Sequence, residues 1–284
     1  MAQQRELVIA DQRAVTPRLR WLTLHAPDLA HSARAGQYLL VRCAEVGSYD
    51  PLLRRALFVA AAEPALGQIA LLYEPADHGL VWLSRGRAGD TLDVIGALGH
   101  PFALDARTRN LLLLGAGPGL AALLMLAREV AGRGGAVTLL AGAQNADSLP
   151  PPFLLPGEIE YQTTIGPAID LLGSAADQPP ATGDQRSPKA KRPPANAQSS
   201  ALSPIAWADQ VCAALPQDQL LLLRDTIQHL KYRWERGFAS ALLDGPIVCG
   251  VGACGVCAIE TRKGWRMLCA DGPVFDLRDV GSRS

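Results

Sequence analysis

Short apolar runs separated by turn-forming residues dominate the first third of the chain. Each run either alternates apolar with polar positions or stays apolar, and Pro, Gly and Asp lie between the runs. The runs are ELVIADQRAV, LRWLTLHA, QYLLVRCA, ALFVAAA and QIALLYEP. Several short strands at this spacing are typical of a small barrel. We therefore predict an all-β barrel domain over residues 1–105.

The pattern changes at Asn110, where longer apolar segments begin. A buried strand, a helix with a Gly-rich stop and a second buried strand follow one another as NLLLLGAG, PGLAALLMLAREVAGRGG and AVTLLAGA. This order predicts a βαβ unit and hence a parallel, Rossmann-like sheet. EIEYQTTIG is a candidate further strand, and DQLLLLRDTIQHLKYRW has helical periodicity. We predict an α/β domain over residues 106–243.

Residues 173–204 interrupt this second domain. They are rich in Pro, Ala, Ser, Gln and charged residues and lack apolar periodicity. Such a segment buries too little apolar surface to offset the entropy of ordering it, so we predict a disordered insertion. The remaining residues, 244–284, hold four of the six cysteines and form a third, small module.

Composition narrows the function classes. The chain has 284 residues, of which 49% are hydrophobic, and 27 basic residues balance 27 acidic ones. We expect no nucleic-acid partner, since such proteins usually carry a basic surplus. The N-terminus shows no signal-peptide pattern. The apolar stretch from Leu111 is interrupted between Gly115 and Gly119, which favours strand, turn and helix over a membrane span. We expect a cytoplasmic protein, where cysteines serve as ligands or buried thiols more often than as disulfides.

The four clustered cysteines, Cys249, Cys254, Cys257 and Cys269, have the spacing C-x4-C-x2-C-x11-C. Structural zinc sites usually supply two C-x2-C pairs, whereas C-x4-C-x2-C followed by a distant Cys is the plant-type [2Fe–2S] arrangement. Interleaved glycines allow the backbone to wrap a cluster and present N–H groups to its sulfurs. We favour a [2Fe–2S] cluster; zinc ligation and structural or disulfide-bonded cysteines remain the alternatives. Cys43 and Cys212 lie alone among apolar neighbours, and we expect both to be buried.

A Gly-rich turn joins the first strand and helix of the α/β domain. Gly115, Gly117 and Gly119 follow the spacing G-x-G-x-G. Glycines there allow a pyrophosphate to approach the backbone at the helix N-terminus, so the turn is a candidate NAD(P)H site. A tight turn without a ligand is the alternative interpretation.

The cysteine module resembles that of a known family. The runs CGVGACGVC and CADGPVF are similar to those of the electron-transfer subunits of NAD-linked, two-component dihydroorotate dehydrogenases, within the ferredoxin–NADP reductase superfamily. The resemblance implies a barrel that binds FAD, an NAD(P)-binding α/β domain and a C-terminal [2Fe–2S] module. In the superfamily a Cys-Gly-Pro turn lies beside the nicotinamide, and here Cys212 with Ala213 and Ala214 matches it.

The resemblance also implies which residues contact FAD. The family's Arg-Pro-x-Ser segment, whose Arg pairs with phosphate, matches Arg55, Ala56, Leu57 and Phe58. Its apolar-Tyr-Arg segment matches Leu72, Tyr73 and Glu74, and its Gly-Thr step matches Gly79 and Leu80. Phe58, Glu74 and Leu80 depart from the family pattern: they remove a hydroxyl, a positive charge and a second hydroxyl.

The resemblance implies an oxidoreductase subunit that passes electrons from NAD(P)H through FAD and the cluster to a flavin-containing dihydroorotate dehydrogenase, within a heterotetramer of pyrimidine biosynthesis. Related subunits serve hydrogenases or sulfide and ferredoxin oxidoreductases. We predict no catalytic side chain, since no hydrolytic set is arranged by spacing. The alternative function is a non-catalytic iron–sulfur relay or scaffold subunit that has lost NAD(P)H oxidation. The departures at Phe58, Glu74, Leu80 and Ala213-Ala214 motivate it.

Overall fold

A computed structural model describes residues 3–174, 203–231 and 233–281. Most of the predicted insertion, residues 175–202, lies outside the described residues. The predicted classes of secondary structure are confirmed: a closed antiparallel barrel is followed by a mostly parallel sheet with helices and by a small C-terminal module. The domain boundaries at 105/106 and 243/244 stay predictions.

Six strands close the barrel in the order β1-β2-β5-β4-β3-β6. They are β1 (Gln4–Ala14), β2 (Arg20–His25), β3 (Tyr38–Val41), β4 (Arg55–Glu63), β5 (Gln68–Tyr73) and β6 (Thr91–Leu98), with the short helices α1 (Pro27–Ser32) and α2 (His78–Leu83) between them. Successive side chains of a strand point to opposite faces. Leu39 and Leu57 accordingly lie in the core inside the barrel, whereas Leu40 and Phe58 face outward.

The second sheet has six strands in the order β14-β11-β10-β7-β8-β9. They are β7 (Asn110–Ala116), β8 (Ala136–Ala143), β9 (Glu160–Ile165), β10 (Gln210–Ala214), β11 (Ala239–Leu242) and β14 (Val274–Asp276), and the helices are α3 (Leu120–Gly132), α4 (Leu171–Ser174), α5 (Pro204–Trp207) and α6 (Gln217–Leu230). All pairs are parallel except β11 with β14. The chain winds from β7 to β8 on one side and later returns to β10 on the other. The topological switch point, where ligands bind in such sheets, therefore lies between β7 and β10.

The C-terminal module contains the cysteine loop (residues 249–257), a hairpin of β12 (Ala258–Thr261) and β13 (Gly264–Met267), and helix α7 (Leu268–Asp271). Its last strand, β14, returns to the second sheet and pairs with β11. The module is therefore tied to that sheet by backbone hydrogen bonds. No helix among the described residues is long and apolar enough to cross a membrane.

The outward face of the barrel is buried as well as its interior. Leu40, Phe58 and Leu98 belong to the same apolar core as α3, the second sheet and the buried cysteines Cys257 and Cys269. Because both faces of these strands are covered, the sequence there reads as continuous apolar runs and not as strict alternation. The barrel, the sheet and the cysteine module thus meet at one interface.

Candidate functional site

The cysteine loop brings the four predicted metal ligands together as two close pairs. The Sγ atoms of Cys257 and Cys269 are 3.3 Å apart, and both residues are buried. Cys249 and Cys254 form the second pair through a contact between their thiols, and they lie closer to solvent. No three His, Cys, Asp or Glu side chains in the described part of the chain are placed to hold one metal ion. Two cysteine pairs suit a two-iron centre, in which each iron takes two thiolates, better than they suit a single ion.

Backbone N–H groups of the loop point at these sulfurs. Hydrogen bonds from the N–H groups of Val251 and Cys254 lower the pKa of the Cys249 thiol to about 6. The N–H of Gly252 donates to Cys269 Sγ at 3.1 Å. Gly252 has φ +76°, which only glycine adopts at little cost. The donor set, four thiols with amide donors directed at Cys249 and Cys269, fits a negatively charged tetrathiolate cluster.

The cysteine loop packs directly on the outward face of the barrel. A Cβ atom at Gly250 would lie 2.9 Å from Leu40 Cδ1 and 2.8 Å from Leu98 Cδ1. Gly250 also has φ +74°. A larger residue is therefore excluded twice, by contact and by backbone conformation. This close approach seats the start of the cysteine loop against β3 and β6.

A positively charged group and a helix start meet beside the barrel. Arg55 Nε lies 2.8 Å from Asp77 Oδ2, and the N–H of Leu80 donates to Asp77 Oδ1 at 3.0 Å. A Cβ at Gly79 would lie 3.3 Å from a guanidinium nitrogen of Arg55. Three residues predicted to contact FAD, Arg55, Gly79 and Leu80, are thus brought together. A guanidinium with backbone N–H groups is the donor set of a phosphate site, so these residues fit the FAD pyrophosphate.

Asp77 lies at the centre of this group beside Arg55 and Leu80, and it was not among the residues predicted from the sequence. Burial acts to raise its pKa, but hydrogen bonds from Arg55 and Leu80 outweigh burial and lower the pKa of this carboxyl. An anionic side chain of the protein therefore occupies the place at which a phosphate would be held. An Asp directly before a helical segment is a recognised N-cap signal, and it could have identified Asp77.

We predict that Asp77→Asn tightens FAD binding about tenfold, equivalent to about 1.4 kcal/mol. Asn keeps the N-cap hydrogen bond but removes the charge that competes with phosphate for Arg55. Titration of the deflavinated protein with FAD, followed by fluorescence, measures this. Asp105→Asn is the matched control, because Asp105 pairs with Arg107 at 3.1 Å in a surface ion pair outside this group. Weaker or unchanged binding by Asp77→Asn would contradict the proposed phosphate position.

The other predicted FAD contacts lie on different faces. Leu57 and Tyr73 point into the barrel core, where the Tyr73 hydroxyl lies 3.4 Å from Gln12 Oε1. Ala56, Phe58 and Leu72 are on the outward face and pack in the interface with the second sheet. The structure therefore groups these three outward residues and separates Leu57 and Tyr73 from them.

Glu74 is engaged by groups of this chain. Its carboxylate pairs with Arg18 and accepts a hydrogen bond from Ser148 Oγ at 3.0 Å. Ser148 follows β8, so Glu74 links the barrel to the α/β part of the chain. Glu74, which stands where the family has Arg, therefore has a structural role that the sequence did not show.

A cavity of about 710 Å³, the switch-point cavity, opens at the carboxyl ends of β7, β10 and β11. Its lining comes from the Gly-rich turn, the ends of β10 and β11, helix α6 and the C-terminal module: Ala116–Gly119, Ala214–Gln217, Leu221, Leu242–Asp244, Ala258–Glu260, Val280 and Gly281. Its place at the switch point is where dinucleotides bind in open α/β sheets. The lining by β12 and by Val280 and Gly281 was not predicted, since only tertiary folding brings the module there.

The three predicted glycines of the turn have different roles. A Cβ at Gly115 would lie 2.5 Å from Leu120 Cδ2, and one at Gly119 would lie 2.6 Å from Ala214 Cβ, so both permit close packing. Gly117 has φ +61°, has open space around the place of a Cβ and lines the cavity. Of the three, Gly117 is the one that has room for a side chain beside the cavity.

Cys212 does not mark the turn beside this cavity, and the match of Cys212 to the Cys-Gly-Pro turn is wrong. It lies in the middle of β10, fully buried, and burial raises the pKa of its thiol to about 12. The strand runs two residues further, so Ala214, Leu215 and Pro216 form the turn that lines the cavity. Cys43 is likewise buried, inside the barrel.

Comparison with known proteins assigns this arrangement. Residues 245–281 match the iron–sulfur cluster binding domain of dihydroorotate dehydrogenase B. The chain is 30% identical over 285 residues to the dihydroorotate dehydrogenase B (NAD(+)) electron transfer subunit of Shouchella clausii, covering 98% of each chain. It is 28% identical to that of Geobacillus thermodenitrificans, covering 99% of each.

Solved structures share the fold at lower identity. An NADH-dependent reduced ferredoxin-NADP oxidoreductase superposes with a TM-score of 0.69 at 22% identity, covering 97% of this chain and 89% of that one. Phthalate dioxygenase reductase, described as a modular structure for electron transfer from pyridine nucleotides to [2Fe–2S], superposes with a TM-score of 0.55 at 16% identity, covering 94% of each. The chain therefore shares its overall fold with these two proteins.

Proposed function

Because the chain belongs to the family of dihydroorotate dehydrogenase B electron transfer subunits, we propose that it passes electrons from NADH through FAD and a [2Fe–2S] cluster to a dihydroorotate dehydrogenase catalytic subunit. One observation carries this proposal. The module that holds the four cysteines packs on the outward face of the barrel and also lines the switch-point cavity. The proposed cluster site and the proposed NADH site therefore share one module, and that module packs on the barrel to which FAD is assigned.

Bound flavin accepts two electrons as a hydride and releases them singly, and the cluster carries single electrons. The chain's own residues bind, orient and shield these groups. We assign Cys249, Cys254, Cys257 and Cys269 to the cluster. Arg55 and the backbone at Gly79 and Leu80 are assigned to the FAD pyrophosphate.

Ala56, Phe58 and Leu72 lie on the outward face of the barrel, but they pack in the interface with the second sheet, where Phe58 and Leu72 are buried. We therefore assign them to that interface and not to direct contact with the flavin, and Phe58 has no hydroxyl to donate to it. We assign the backbone of the turn from Gly115 to Gly119 to the NADH pyrophosphate, with Gly117 facing it.

Exposed apolar side chains of the C-terminal module indicate where the partner subunit docks. Val251, Val256 and Trp265 are 61%, 52% and 68% exposed, and all three belong to the C-terminal module. Exposed apolar groups next to a redox centre suit a surface that docks a partner and keeps the electron path short. We propose that the catalytic subunit binds here and that the two kinds of subunit form a heterotetramer.

We expect Trp265→Glu to weaken association with the catalytic subunit at least about tenfold, since it places a charge in a desolvated contact. Phe153→Glu is the control, because Phe153 is 67% exposed but lies outside the module. Sedimentation or calorimetry with the catalytic subunit of a relative measures both. Equal affinities for the two variants would place the interface elsewhere.

We place the protein in the cytoplasm. All six cysteines are free thiols, and thiolate ligands require a compartment that keeps them reduced. Fractionation of the source cells, with blotting for the chain, checks this placement.

Anaerobic addition of NADH to the purified protein tests the function. Bleaching of the flavin absorption band, followed by the cluster's EPR signal, is the expected result. Reduction of the cluster by dithionite but not by NADH would instead establish the relay subunit. Asp77 and Glu74 favour that alternative, because each places a carboxylate where a cation or a phosphate contact is expected. Metal analysis that finds zinc, and finds neither iron nor acid-labile sulfide, would overturn both the electron-transfer function and the relay function.

A further inference from the structure

Tyr38 lies where the barrel meets the cysteine module, and its hydroxyl lacks a partner. The residue is completely buried, and its hydroxyl oxygen has no hydrogen-bond partner among the described residues. A buried polar group without a partner is uncommon in folded proteins and points to a group that the protein binds. The hydroxyl is therefore a hydrogen-bond donor that no group of the described residues uses.

The position of the Tyr38 ring is fixed on several sides. Its centroid is 6.1 Å from that of Phe58, and the two rings meet edge to face at 80°. A Cβ at Gly99 would lie 2.9 Å from Tyr38 Cε1 and 2.6 Å from Pro273 Cδ. The backbone of Tyr38 pairs with both neighbouring strands, opposite Phe58 and Leu98. A ring held this closely cannot turn its hydroxyl elsewhere without moving the strand.

The cluster ligands are the ionisable groups that lie around this hydroxyl. Burial raises the pKa of Tyr38 well above its usual range, and the charges of Cys269, Cys257 and Cys249, in that order, raise it further. Tyr38 and the buried pair Cys257 and Cys269 share one apolar core. A phenol carries its proton at neutral pH even at its ordinary pKa, and a thiolate sulfur has no proton to give, so this buried hydroxyl can act only as a donor toward the sulfurs.

We propose that the Tyr38 hydroxyl donates a hydrogen bond to a sulfur on the Cys257–Cys269 side of the iron–sulfur centre and raises the reduction potential of that centre. This inference rests on the proposed function, since it requires that the four cysteines hold a cluster. Adding an electron increases the negative charge on the sulfurs, so a donor stabilises the reduced form more than the oxidised form. Tyr38 is a positioning and tuning residue and not a catalytic one.

The test compares Tyr38→Phe with the wild-type protein by redox titration of the holoprotein, with dithionite as reductant and the cluster's EPR signal as readout. We expect the reduction equilibrium to shift about tenfold toward the oxidised form, which is about 59 mV lower for a one-electron couple. Iron, sulfide and flavin contents should not change, because the substitution removes one oxygen and keeps the ring that packs against Phe58. Tyr161→Phe is the matched control: its hydroxyl donates to the Pro150 carbonyl at 2.8 Å, in the second sheet.

The outcomes separate this inference from the function itself. An unchanged cluster potential in Tyr38→Phe overturns the hydrogen bond, and so does a shift confined to the flavin potential. An equal shift in Tyr161→Phe overturns it as well. Wild-type protein without iron overturns both the inference and the function. Dithionite reduces the cluster without NADH, so the cluster potential can be measured even if the protein does not oxidise NADH. A lower potential in Tyr38→Phe would then support the hydrogen bond from Tyr38, although the proposed NADH oxidation had failed.

Discussion

Cys257→Ser is expected to abolish the [2Fe–2S] EPR signal and most of the bound iron, while the barrel and the second sheet still fold. Cys257 is 2% exposed, and its Sγ lies 3.3 Å from that of Cys269, so it is one half of the buried cysteine pair that we assign to the cluster. A serine hydroxyl is a poor replacement for a thiolate toward iron. EPR of the dithionite-reduced protein, with iron and acid-labile sulfide assays, gives the result. Circular dichroism shows whether the rest of the chain has folded.

Cys212→Ser is the matched control for this change. Cys212 is also buried, so the same substitution places a hydroxyl in an apolar core at a similar cost, about 1–3 kcal/mol if the hydroxyl finds no partner. It lies within β10 and outside the cysteine loop, and the EPR signal should persist. Retention of the signal in Cys257→Ser would remove Cys257 from the ligand set. Its loss in Cys212→Ser would show that general destabilisation, and not ligation, controls cluster content.

The elements that local pattern specifies could be predicted from the sequence. Strand runs bounded by Gly, Pro and Asp gave the barrel, and the run from Asn110 gave the βαβ unit, because alternation and segment length are properties of neighbouring residues. The clustering of the four cysteines was predictable for the same reason, since three of them lie within one loop. The spacing alone, however, did not show which cysteines pair.

The contacts that depend on tertiary folding could not be predicted. Asp77 meets Arg55 only because the barrel closes, and 22 residues separate them along the chain. In the sequence, Tyr38 occupies an ordinary apolar strand position. Its unpartnered hydroxyl becomes evident only when the cysteine module folds against it. The error at Cys212 has a different cause: β10 continues to Ala214, and strand ends are the least certain part of a pattern-based prediction.

Gly117→Leu is expected to raise the KM for NADH at least about tenfold, with a smaller effect on reduction of the cluster by dithionite. Gly117 lines the switch-point cavity and has open space at its side-chain position, so a leucine there extends into the cavity without displacing protein atoms. Lost ground-state binding of this kind raises KM more than it lowers kcat. Steady-state NADH oxidation with an artificial one-electron acceptor measures both constants.

Gly134→Leu separates this effect from backbone strain. Gly134 has φ +77°, close to the +61° of Gly117, and it also has open space at its side-chain position. A leucine in the left-handed region costs roughly 1–2 kcal/mol at either position, so both variants should lose similar stability. Gly134 lies outside the residues that line the cavity, and its KM for NADH should stay that of the wild type. Equal KM values for the two variants would mean that NADH does not bind against this turn. The α/β part of the chain would then serve as a scaffold for the cysteine module, as in the relay subunit.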